Sequence, residues 1–343
     1  MTSSVAAPVT PERILQFAWG YVPPLVLEAA IRNRVFDVLD GGPKTLSEVQ
    51  TATGASSRGL SAIMNALVGL EFLAKDAQGR YSLTAESAAF LVSTKPSFMG
   101  GMIRHGSEDL IPKWLHLTEI VKSGKPANSV NQEGAGAEFF QNFVSDIFPT
   151  SYPSAQALAK ELNFGEGGQP VRVLDLAAGS GVWGIALAQS SPRVRVTAVD
   201  WAVVLPVTRK TVEKFHLSDR FSFVEGDLLS ADFGKDHNVA TLGHILHSEG
   251  EERSRKLLAK VFQALAPGGT IAIAEFLVDD DRKGPLNGLF FAVNMLVNTD
   301  NGNTYSFNEI GSWLGEAGFR DARTIPAPGP SPLILATKPK AAA

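Results

Sequence analysis

The chain from about residue 11 to 95 carries blocks of helical hydrophobic periodicity followed by two strand-like segments around a turn. Thr45 and Glu48 fit a capping box that opens one helix, and Ser56 or Ser57 can cap the next. Helix, helix, helix and ribbon together predict a winged-helix module. An earlier apolar helix is predicted over Tyr21–Leu39 from residues that recur at helical spacings, namely Leu25, Ala29, Phe36 and Leu39.

The rest of the chain changes from helical segments to alternating strands and helices. Residues 98–163 are predicted to be helical and rich in aromatic side chains, and short apolar strands separated by helical runs begin near residue 171. This alternation predicts an α/β fold with a mostly parallel sheet that is covered by helices on both faces. The predicted strands are 171–176, 195–199, 221–224, 239–242, 270–276 and 333–337.

Composition narrows the functional class without naming it. The 343 residues leave room for two domains, and 44% hydrophobic with 19% charged residues is typical of a globular protein. A net charge of −4 gives no electrostatic reason to expect nucleic acid or an anionic membrane as a partner. The absence of cysteine excludes disulfides, thiolate metal sites and cysteine nucleophiles. Without a signal-like start or an uninterrupted apolar run of about 18 residues, a soluble cytoplasmic protein is expected.

A glycine-containing turn, Asp175-Leu176-Ala177-Ala178-Gly179-Ser180-Gly181, lies at the end of the strand 171–176. In a doubly wound sheet, ligands bind at the carboxyl ends of strands, where the chain enters a helix. Gly179 and Gly181 permit positive φ angles and let a ligand approach the backbone closely. Such a turn is equally typical of a purely structural connection, so other residues have to decide its meaning.

Acidic residues at the ends of the next two strands favour a nucleotide-like cofactor. Asp200 follows Asp175 by 25 residues, at a position where a carboxylate accepts hydrogen bonds from both ribose hydroxyls. The third strand ends in Glu225-Gly226-Asp227, where a carboxylate can accept the amino group of adenine. Trp201 either lies against the adenine face or packs on the next helix. The turn lacks the third glycine of the G-x-G-x-x-G fingerprint, which disfavours an NAD-dependent dehydrogenase.

A histidine-containing segment and a distant glutamate complete the pattern. The fourth strand runs into Gly243-His244-Ile245-Leu246-His247-Ser248-Glu249, and Glu275 lies 28 residues after His247. With these motifs the chain resembles the plant-type small-molecule O-methyltransferases, a family that includes the caffeic acid and acetylserotonin enzymes and their bacterial relatives. The resemblance extends from about residue 12 to 338, although the usual GGGTG turn of the family is AAGSG here.

The resemblance implies an architecture and a cofactor. It implies an α-helical winged-helix dimerisation domain at 1–97, a helical linker contributing to the substrate pocket at 98–163, and a Rossmann-like methyltransferase domain at 164–343. It also implies S-adenosyl-L-methionine as cofactor, S-adenosyl-L-homocysteine as product, and a homodimer formed through the N-terminal domain. The residues expected at the cofactor are Asp175, Ala177, Gly179, Gly181, Asp200, Trp201, Gly226, Asp227, Leu228 and Gly243.

The resemblance further assigns His247 as a general base oriented by Glu275. An imidazole, with an ordinary pKa near ~6.5, suits the removal of a proton from a phenol or alcohol as that group attacks a sulfonium methyl. The second catalytic glutamate of the family corresponds to Thr304, which supplies no charge. His244 is expected to face away from the site if its segment is extended, and to serve in packing. The residues expected in the substrate pocket are Phe143, Phe291, Asn294, Met295, Asn298 and Thr304.

Two alternatives stay open at this point. A single His–Glu pair leaves S-, C- or N-methylation of a small metabolite as alternatives to O-methylation. A winged helix also suggests a DNA-binding regulator, but residues 1–95 hold eight Lys or Arg and eight Asp or Glu, whereas phosphate contacts need a cluster of cations. No His, Asp or Glu residues have metal-ligand spacing, so metal-independent catalysis on a small-molecule acceptor is expected, without nucleic-acid or membrane partners.

Overall fold

The computed structural model describes residues 9–126, 129–130, 136, 140, 143–165 and 168–340. Its internal contacts divide the chain into two compact units, Met1–Pro112 and Lys113–Ala343. The three-part division at residues 97 and 163 that the sequence suggests stays a prediction.

The first unit combines helices with a short antiparallel ribbon, β1 (Leu73–Lys75) and β2 (Tyr81–Leu83). Two of its helices begin where the sequence predicts. Thr45 and Glu48 form a reciprocal capping box, and the Ser56 side chain accepts a hydrogen bond from the backbone N–H of Gly59. The helices are α1 (Glu12–Ala18), α2 (Val22–Arg32), α3 (Val35–Leu39), α4 (Leu46–Thr53), α5 (Ser57–Gly69), α6 (Ala85–Phe90) and α7 (Gly100–His105), followed by a π-helical turn at Gly106–Leu110.

The segment Tyr21–Leu39 is not the single helix that its apolar spacing predicts. The chain breaks between α2 and α3, where Arg34 adopts a left-handed φ of 57°. The apolar spacing persists across the break because α3 buries Val35, Phe36 and Leu39 in the core of this unit, against residues of α5 and the ribbon. Periodicity therefore located the buried face correctly and missed the interruption.

The start of the first unit exposes a series of large apolar side chains on and directly after α1. Glu12–Arg32 is long and apolar enough to cross a membrane by length and composition, and only 6% of its most apolar 18-residue window is buried, although a turn separates α1 from α2. Polar residues interrupt the apolar runs of this segment, so the sequence contains no uninterrupted apolar run of that length. The exposed side chains are Ile14, Leu15, Phe17, Trp19 and Tyr21.

The second unit is a seven-stranded sheet with helices on both faces. Its strands are β3 (Val171–Leu176), β4 (Val194–Asp200), β5 (Phe221–Glu225), β6 (His237–Gly243), β7 (Leu265–Ala274), β8 (Arg320–Ile325) and β9 (Leu333–Thr337). The helices from the unit boundary onward are α8 (Ile111–Trp114), α9 (Leu117–Ser123), α10 (Phe148–Leu162), α11 (Val182–Ser190), α12 (Leu205–Lys214), α13 (Leu246–Ala264), α14 (Leu286–Asn298) and α15 (Phe307–Ala317).

The strand order is β5-β4-β3-β6-β7-β9-β8, with parallel pairing from β5 to β7 and antiparallel pairing of β9 with both of its neighbours. The mostly parallel sheet is as predicted, and all six predicted strands are present. Because the chain runs outward from β3 in one direction and from β6 in the other, the carboxyl ends of these two neighbours form the switch point at which doubly wound sheets bind ligands.

Side chains alternate between the two faces of this sheet. In β3, Val173 packs in the cluster under α10 and α11, whereas Leu174 and Leu176 pack in the cluster under α13 and α15. Asp175 shares its face with Val173 and is fully buried there. This alternation places the side chain of Asp175 on the face of the sheet that α10 and α11 cover.

Candidate active site

The turn between β3 and α11 places three residues in the left-handed backbone region. Ala177, Gly179 and Gly181 have φ angles of 49°, 55° and 78°. The two glycines adopt this region at no steric cost, as the sequence predicts, whereas a left-handed alanine is rare and marks a constrained backbone. Gly181 immediately precedes α11, and its N–H donates to the carbonyl oxygen of Ala178 over 2.7 Å.

Asp200 lies at the end of β4, directly beside this turn. Its Oδ2 accepts the N–H of Gly179 over 2.7 Å, and its Oδ1 accepts the N–H of Trp201 over 2.7 Å. Burial raises the pKa of Asp200 to about 6, although both backbone hydrogen bonds favour the charged form and act in the opposite direction. The side chain keeps some exposure, and each carboxylate oxygen keeps acceptor capacity for a ligand.

Asp175 does not stand in the position that the sequence predicts for a cofactor contact. Its side chain is completely buried, with Oδ1 accepting from Thr241 Oγ1 over 2.7 Å and Oδ2 accepting from the N–H of Gly184 over 2.9 Å. Burial raises the pKa of Asp175 to about 7, against these two hydrogen bonds and with a further increase from Asp200. The side chain therefore joins β3, β6 and α11 behind the turn and holds the turn in place.

The connection after β5 carries the second acidic group of the predicted cofactor site. Gly226 has a φ of 139° and donates its N–H to the carbonyl oxygen of Asp200 over 3.0 Å, which brings this connection beside Asp200. Asp227 Oδ1 accepts the N–H of Leu229 over 2.9 Å, while its Oδ2 pairs with Arg253 over 2.6 Å.

Arg253 was not anticipated from the sequence. It also pairs with Glu249 over 2.6 Å, so one guanidinium bridges the connection after β5 and the helix α13. The i, i+4 spacing of Glu249 and Arg253 was the available signal. Leu228, predicted beside the adenine, is buried in the cluster under α13 and α15.

Trp201 and Phe143 belong to one aromatic group with Phe140. The Trp201 and Phe140 rings meet edge to face at 5.6 Å, and the Phe140 and Phe143 rings do so at 6.4 Å. The structure thus brings Phe143, predicted for the substrate pocket, to the side of the site that carries Trp201.

His247 and Glu275 are brought together as the sequence predicts. His247 Nδ1 lies 2.8 Å from Glu275 Oε2, and the His247 N–H donates to Glu275 Oε1 over 3.3 Å. Both side chains are buried, His247 in the first turn of α13 and Glu275 directly after β7. The carbonyl oxygen of His247 also accepts the N–H of Asn303 over 2.8 Å, so its backbone is fixed from two directions.

Aromatic rings enclose the histidine. Phe291 presents its ring to His247 edge to face at 4.8 Å, and Phe291 stacks on Phe276 at 3.9 Å with an interplanar angle of 20°. Phe276 follows Glu275 in the chain and was not among the predicted pocket residues. A cavity of about 370 Å³ adjoins Phe276, and its lining includes Pro285, Pro330 and Pro332.

The remaining pocket candidates lie on α14, where polar side chains hydrogen bond to one another and to the segment before α9. Asn298 donates to Asn294 Oδ1 over 3.1 Å and accepts from Lys113 Nζ over 3.1 Å, and Trp114 Nε1 donates to Asn294 Oδ1 over 3.2 Å. Met295 and Asn298 are buried. Their assignment to an acceptor pocket stays a prediction.

Thr304, predicted at the position of a second catalytic glutamate and in the pocket, has a different role. It is buried, and its hydroxyl donates to the carbonyl oxygen of Gly288 over 3.1 Å, which anchors the first turn of α14. The hydroxyl is therefore used within the protein and does not replace the missing carboxylate.

His244 does not face away from the site. Its backbone is left-handed, with a φ of 61°, so the alternation expected for an extended segment does not apply. Its ring lies 6.5 Å from that of His247 and 5.2 Å from that of Phe276. Gly243 before it is covered by Trp183, since a Cβ at Gly243 would lie 1.9 Å from Trp183 Nε1.

The residues at the switch point fit S-adenosylmethionine. Vicinal ribose hydroxyls need an acceptor-only carboxylate, and Asp200 is a partly exposed carboxylate fixed by two backbone N–H groups. Gly179, beside it, has no side chain to keep a ligand from the backbone. Asp227 offers a second carboxylate on the neighbouring connection.

Comparison with known proteins gives the same picture over nearly the whole chain. The profile of the O-methyltransferase domain matches residues 114–320, and that of the O-methyltransferase dimerisation domain matches residues 15–93. The tetracenomycin polyketide synthesis 8-O-methyl transferase TcmO of Streptomyces glaucescens is 29% identical over 336 residues, covering 96% of this chain and 97% of that protein. The 3-hydroxy-5-methyl-1-naphthoate 3-O-methyltransferase of Streptomyces sahachiroi is 29% identical over 337 residues, covering 96% of this chain and 95% of that protein.

A solved structure extends the match to the cofactor. Human N-acetylserotonin methyltransferase in complex with SAM superimposes with a TM-score of 0.82 at 26% identity, covering 99% of this chain and 100% of that chain. The predicted resemblance, fold class and cofactor are thereby confirmed. The chain belongs to the O-methyltransferase family, as an S-adenosylmethionine-dependent enzyme of small molecules with an O-methyltransferase dimerisation domain ahead of its catalytic domain.

Proposed function

We propose that His247 removes the proton of an aromatic hydroxyl on the acceptor while Glu275 holds the imidazole in place. The observation that carries this proposal is the buried contact of 2.8 Å between His247 Nδ1 and Glu275 Oε2. A base that is oriented through one ring nitrogen presents the other to the substrate, which is the arrangement general-base catalysis needs.

The charge of Glu275 sets the tautomer of His247. Burial acts to raise the pKa of Glu275, but the adjacent His247, through charge and hydrogen bonds, and His244 together lower the pKa below its ordinary value. An ionised carboxylate only accepts hydrogen bonds, so Nδ1 of His247 carries the proton. Nε2 then holds the lone pair that takes the hydroxyl proton.

The cofactor residues at the switch point hold the methyl donor. S-adenosylmethionine, when bound, supplies an electrophilic methyl group on its sulfonium. Asp200 would accept the ribose hydroxyls, the backbone at Ala177 and Gly179 would contact the cofactor, and Asp227 would accept the adenine amino group. The protein then has to align the acceptor oxygen with the methyl carbon. Catalysis therefore needs positioning of the two reactants in addition to removal of the proton.

Support for an aromatic acceptor comes from the rings around the base. Phe276 and Phe291 form a stacked apolar surface beside His247, and flat rings pack well on such surfaces. The two bacterial relatives are named for hydroxyl methylation of a polyketide and of a naphthoate. S-, C- and N-methylation are less well supported, because both of these relatives are named for methylation of oxygen.

The assembly belongs to the same proposal. The dimerisation domain and the exposed apolar side chains of α1 support a homodimer formed through the first unit, and we place the enzyme in the cytoplasm as a soluble protein.

An acceptor screen with methyl-labelled cofactor tests the proposal. The panel pairs each phenol with the aromatic thiol of the same skeleton, and adds a thioether and an activated-carbon acceptor. We expect label on phenolic oxygen. Label on the thioether or carbon acceptors alone, with every phenol inert, would contradict it.

A further inference from the structure

His244 is held in an unusual conformation at the edge of the site. Left-handed φ angles are uncommon for residues other than glycine, and they cluster at functional positions because the surrounding structure has to maintain them. Two contacts maintain this one. The His244 N–H donates to the carbonyl oxygen of Ala274 over 2.8 Å, and His244 Nε2 lies 2.9 Å from Ser331 Oγ.

The ring of His244 is close to residues of both halves of the site. Its centroid lies 6.4 Å from that of Trp183, on the helix that begins at the glycine turn, and 6.5 Å and 5.2 Å from those of His247 and Phe276. The acceptor has to reach this junction, because the methyl group and the base must both be close to its reacting oxygen.

The hydrogen-bonding capacity of His244 is only partly used. Burial lowers its pKa to about 4, although Glu275 acts to raise it, so the ring is neutral at physiological pH. The hydroxyl of Ser331, which is itself buried, forms the hydrogen bond with Nε2 of His244. Nδ1 makes no hydrogen bond to any residue that the structure describes, and the residue keeps partial exposure.

We propose that His244 is a specificity-determining residue that hydrogen bonds a second oxygen of the acceptor, next to the hydroxyl that His247 deprotonates, and that Ser331 is its positioning residue. The proposal rests on the proposed function of His247. The ring centroids of His244 and His247 are 6.5 Å apart. At this separation the two imidazoles can hydrogen bond to two neighbouring oxygens of one flat ring system, on adjacent carbons or in a peri relation. The hydrogen-bond contact with Ser331 fixes the orientation of the His244 ring.

Two matched pairs of acceptors test it: 2,3-dihydroxynaphthalene against 2-naphthol, and 1,8-dihydroxynaphthalene against 1-naphthol. The quantity measured is the ratio of kcat/KM for the diol to kcat/KM for its monohydroxy partner. We expect the wild-type protein to favour at least one diol, and His244→Phe, which keeps an aromatic ring, to lower that ratio about tenfold through the lost hydrogen bond. Ser331→Ala should lower the same ratio. The double variant, His244→Phe with Ser331→Ala, should lose less than the two single losses combined, because both changes remove the same hydrogen bond to the acceptor.

His216→Phe is the matched control, since His216 is an exposed histidine that also has a left-handed φ, of 57°, and lies outside the site. Its ratio should equal the wild-type value. Equal losses on diol and monohydroxy acceptors in His244→Phe would show a packing role and overturn the proposal, as would a wild-type protein without preference for either diol. Phenol methylation that persists in those cases would leave the role of His247 intact, whereas inert phenols throughout would count against both proposals.

Discussion

At the scale of single residues, three acidic side chains of this site differ in what surrounds them. Glu275 faces His247 and is stabilised in its charged form, so it can fix a proton on the imidazole. Asp175 faces a hydroxyl and a backbone N–H inside the core, where burial dominates and raises its pKa to about 7. Asp200 stands between these cases, with a pKa of about 6 and some exposure toward a ligand.

The pKa of Asp200 predicts how cofactor binding depends on pH. Ribose hydroxyls donate to the charged carboxylate, so the bound complex lowers the pKa of Asp200 below the value of about 6 in the free protein. Affinity for S-adenosylhomocysteine should therefore be constant above about pH 7 and fall by up to about tenfold per pH unit as the pH drops below the free-protein pKa. Calorimetric titration at several pH values measures this dependence.

Asp200→Asn should bind weakly at every pH and lose this dependence. Asp219→Asn, an exposed aspartate outside the site, should keep the wild-type profile. An affinity that stays level from pH 7 to pH 5 in the wild-type protein would show that Asp200 does not hold the ribose.

At the scale of elements, the break inside α13 positions His247, the proposed base. Gly250 has φ 77° and ψ 166°, which separates the short turn that carries His247 from the rest of the helix. A Cβ at Gly250 would lie 2.7 Å from the carbonyl oxygen of Asn301, in the loop that also binds the backbone of His247. The turn and this loop thus form one support for the imidazole.

We predict that Gly250→Ala destabilises the protein and lowers kcat together. The left-handed φ and the contact with Asn301 should cost roughly 1–3 kcal/mol, seen as a lower melting temperature. Gly311→Ala is the control, because a Cβ there meets open space within α15 and should stabilise by up to about 1 kcal/mol. A Gly250→Ala variant with wild-type melting temperature and kcat would show that the break does not support the base.

The elements also show what the sequence could and could not provide. Strand positions followed from apolar runs, which are local and repeated signals, whereas the His247–Glu275 pair followed from the resemblance to the O-methyltransferase family. β8 was not predicted, because it is an exposed edge strand whose polar sequence, with Arg320 and Arg323, contains no apolar run. The contact of His244 with Ser331 joins residues 87 apart through a left-handed backbone, which no local pattern encodes. The strand-end position of Asp175 predicts a ligand contact, but its side chain lies on the buried face of β3, where it hydrogen bonds to Thr241 and Gly184.

At the scale of the whole molecule, the exposed apolar side chains of α1 need a partner surface. Phe17 and Trp19 are 67% and 68% exposed, and large apolar side chains exposed together are typical of surfaces that associate with a protein or a membrane. The match of residues 15–93 to the O-methyltransferase dimerisation domain supports a homodimer, and we propose that these side chains contribute to its interface.

We predict that light scattering after size exclusion gives twice the chain mass of 36.6 kDa for the wild-type protein. Phe17→Glu combined with Trp19→Glu should give the mass of one chain, because charged groups would be buried without partners in the dimer. Val121→Glu, at an exposed position of α9 outside residues 15–93, should leave the mass doubled. A double variant that stays dimeric would place the interface elsewhere.

The most direct test of the whole account is the methyl-transfer rate of His247→Gln on a phenol that the wild-type protein methylates, with the affinity for S-adenosylhomocysteine measured on the same preparation. The account predicts that kcat falls by about 10²–10⁴-fold, the usual contribution of a general base. Affinity should stay within about twofold, since His247 does not hold the cofactor. Wild-type kcat in His247→Gln, or a loss of rate that only follows a loss of cofactor affinity, would contradict the central claim.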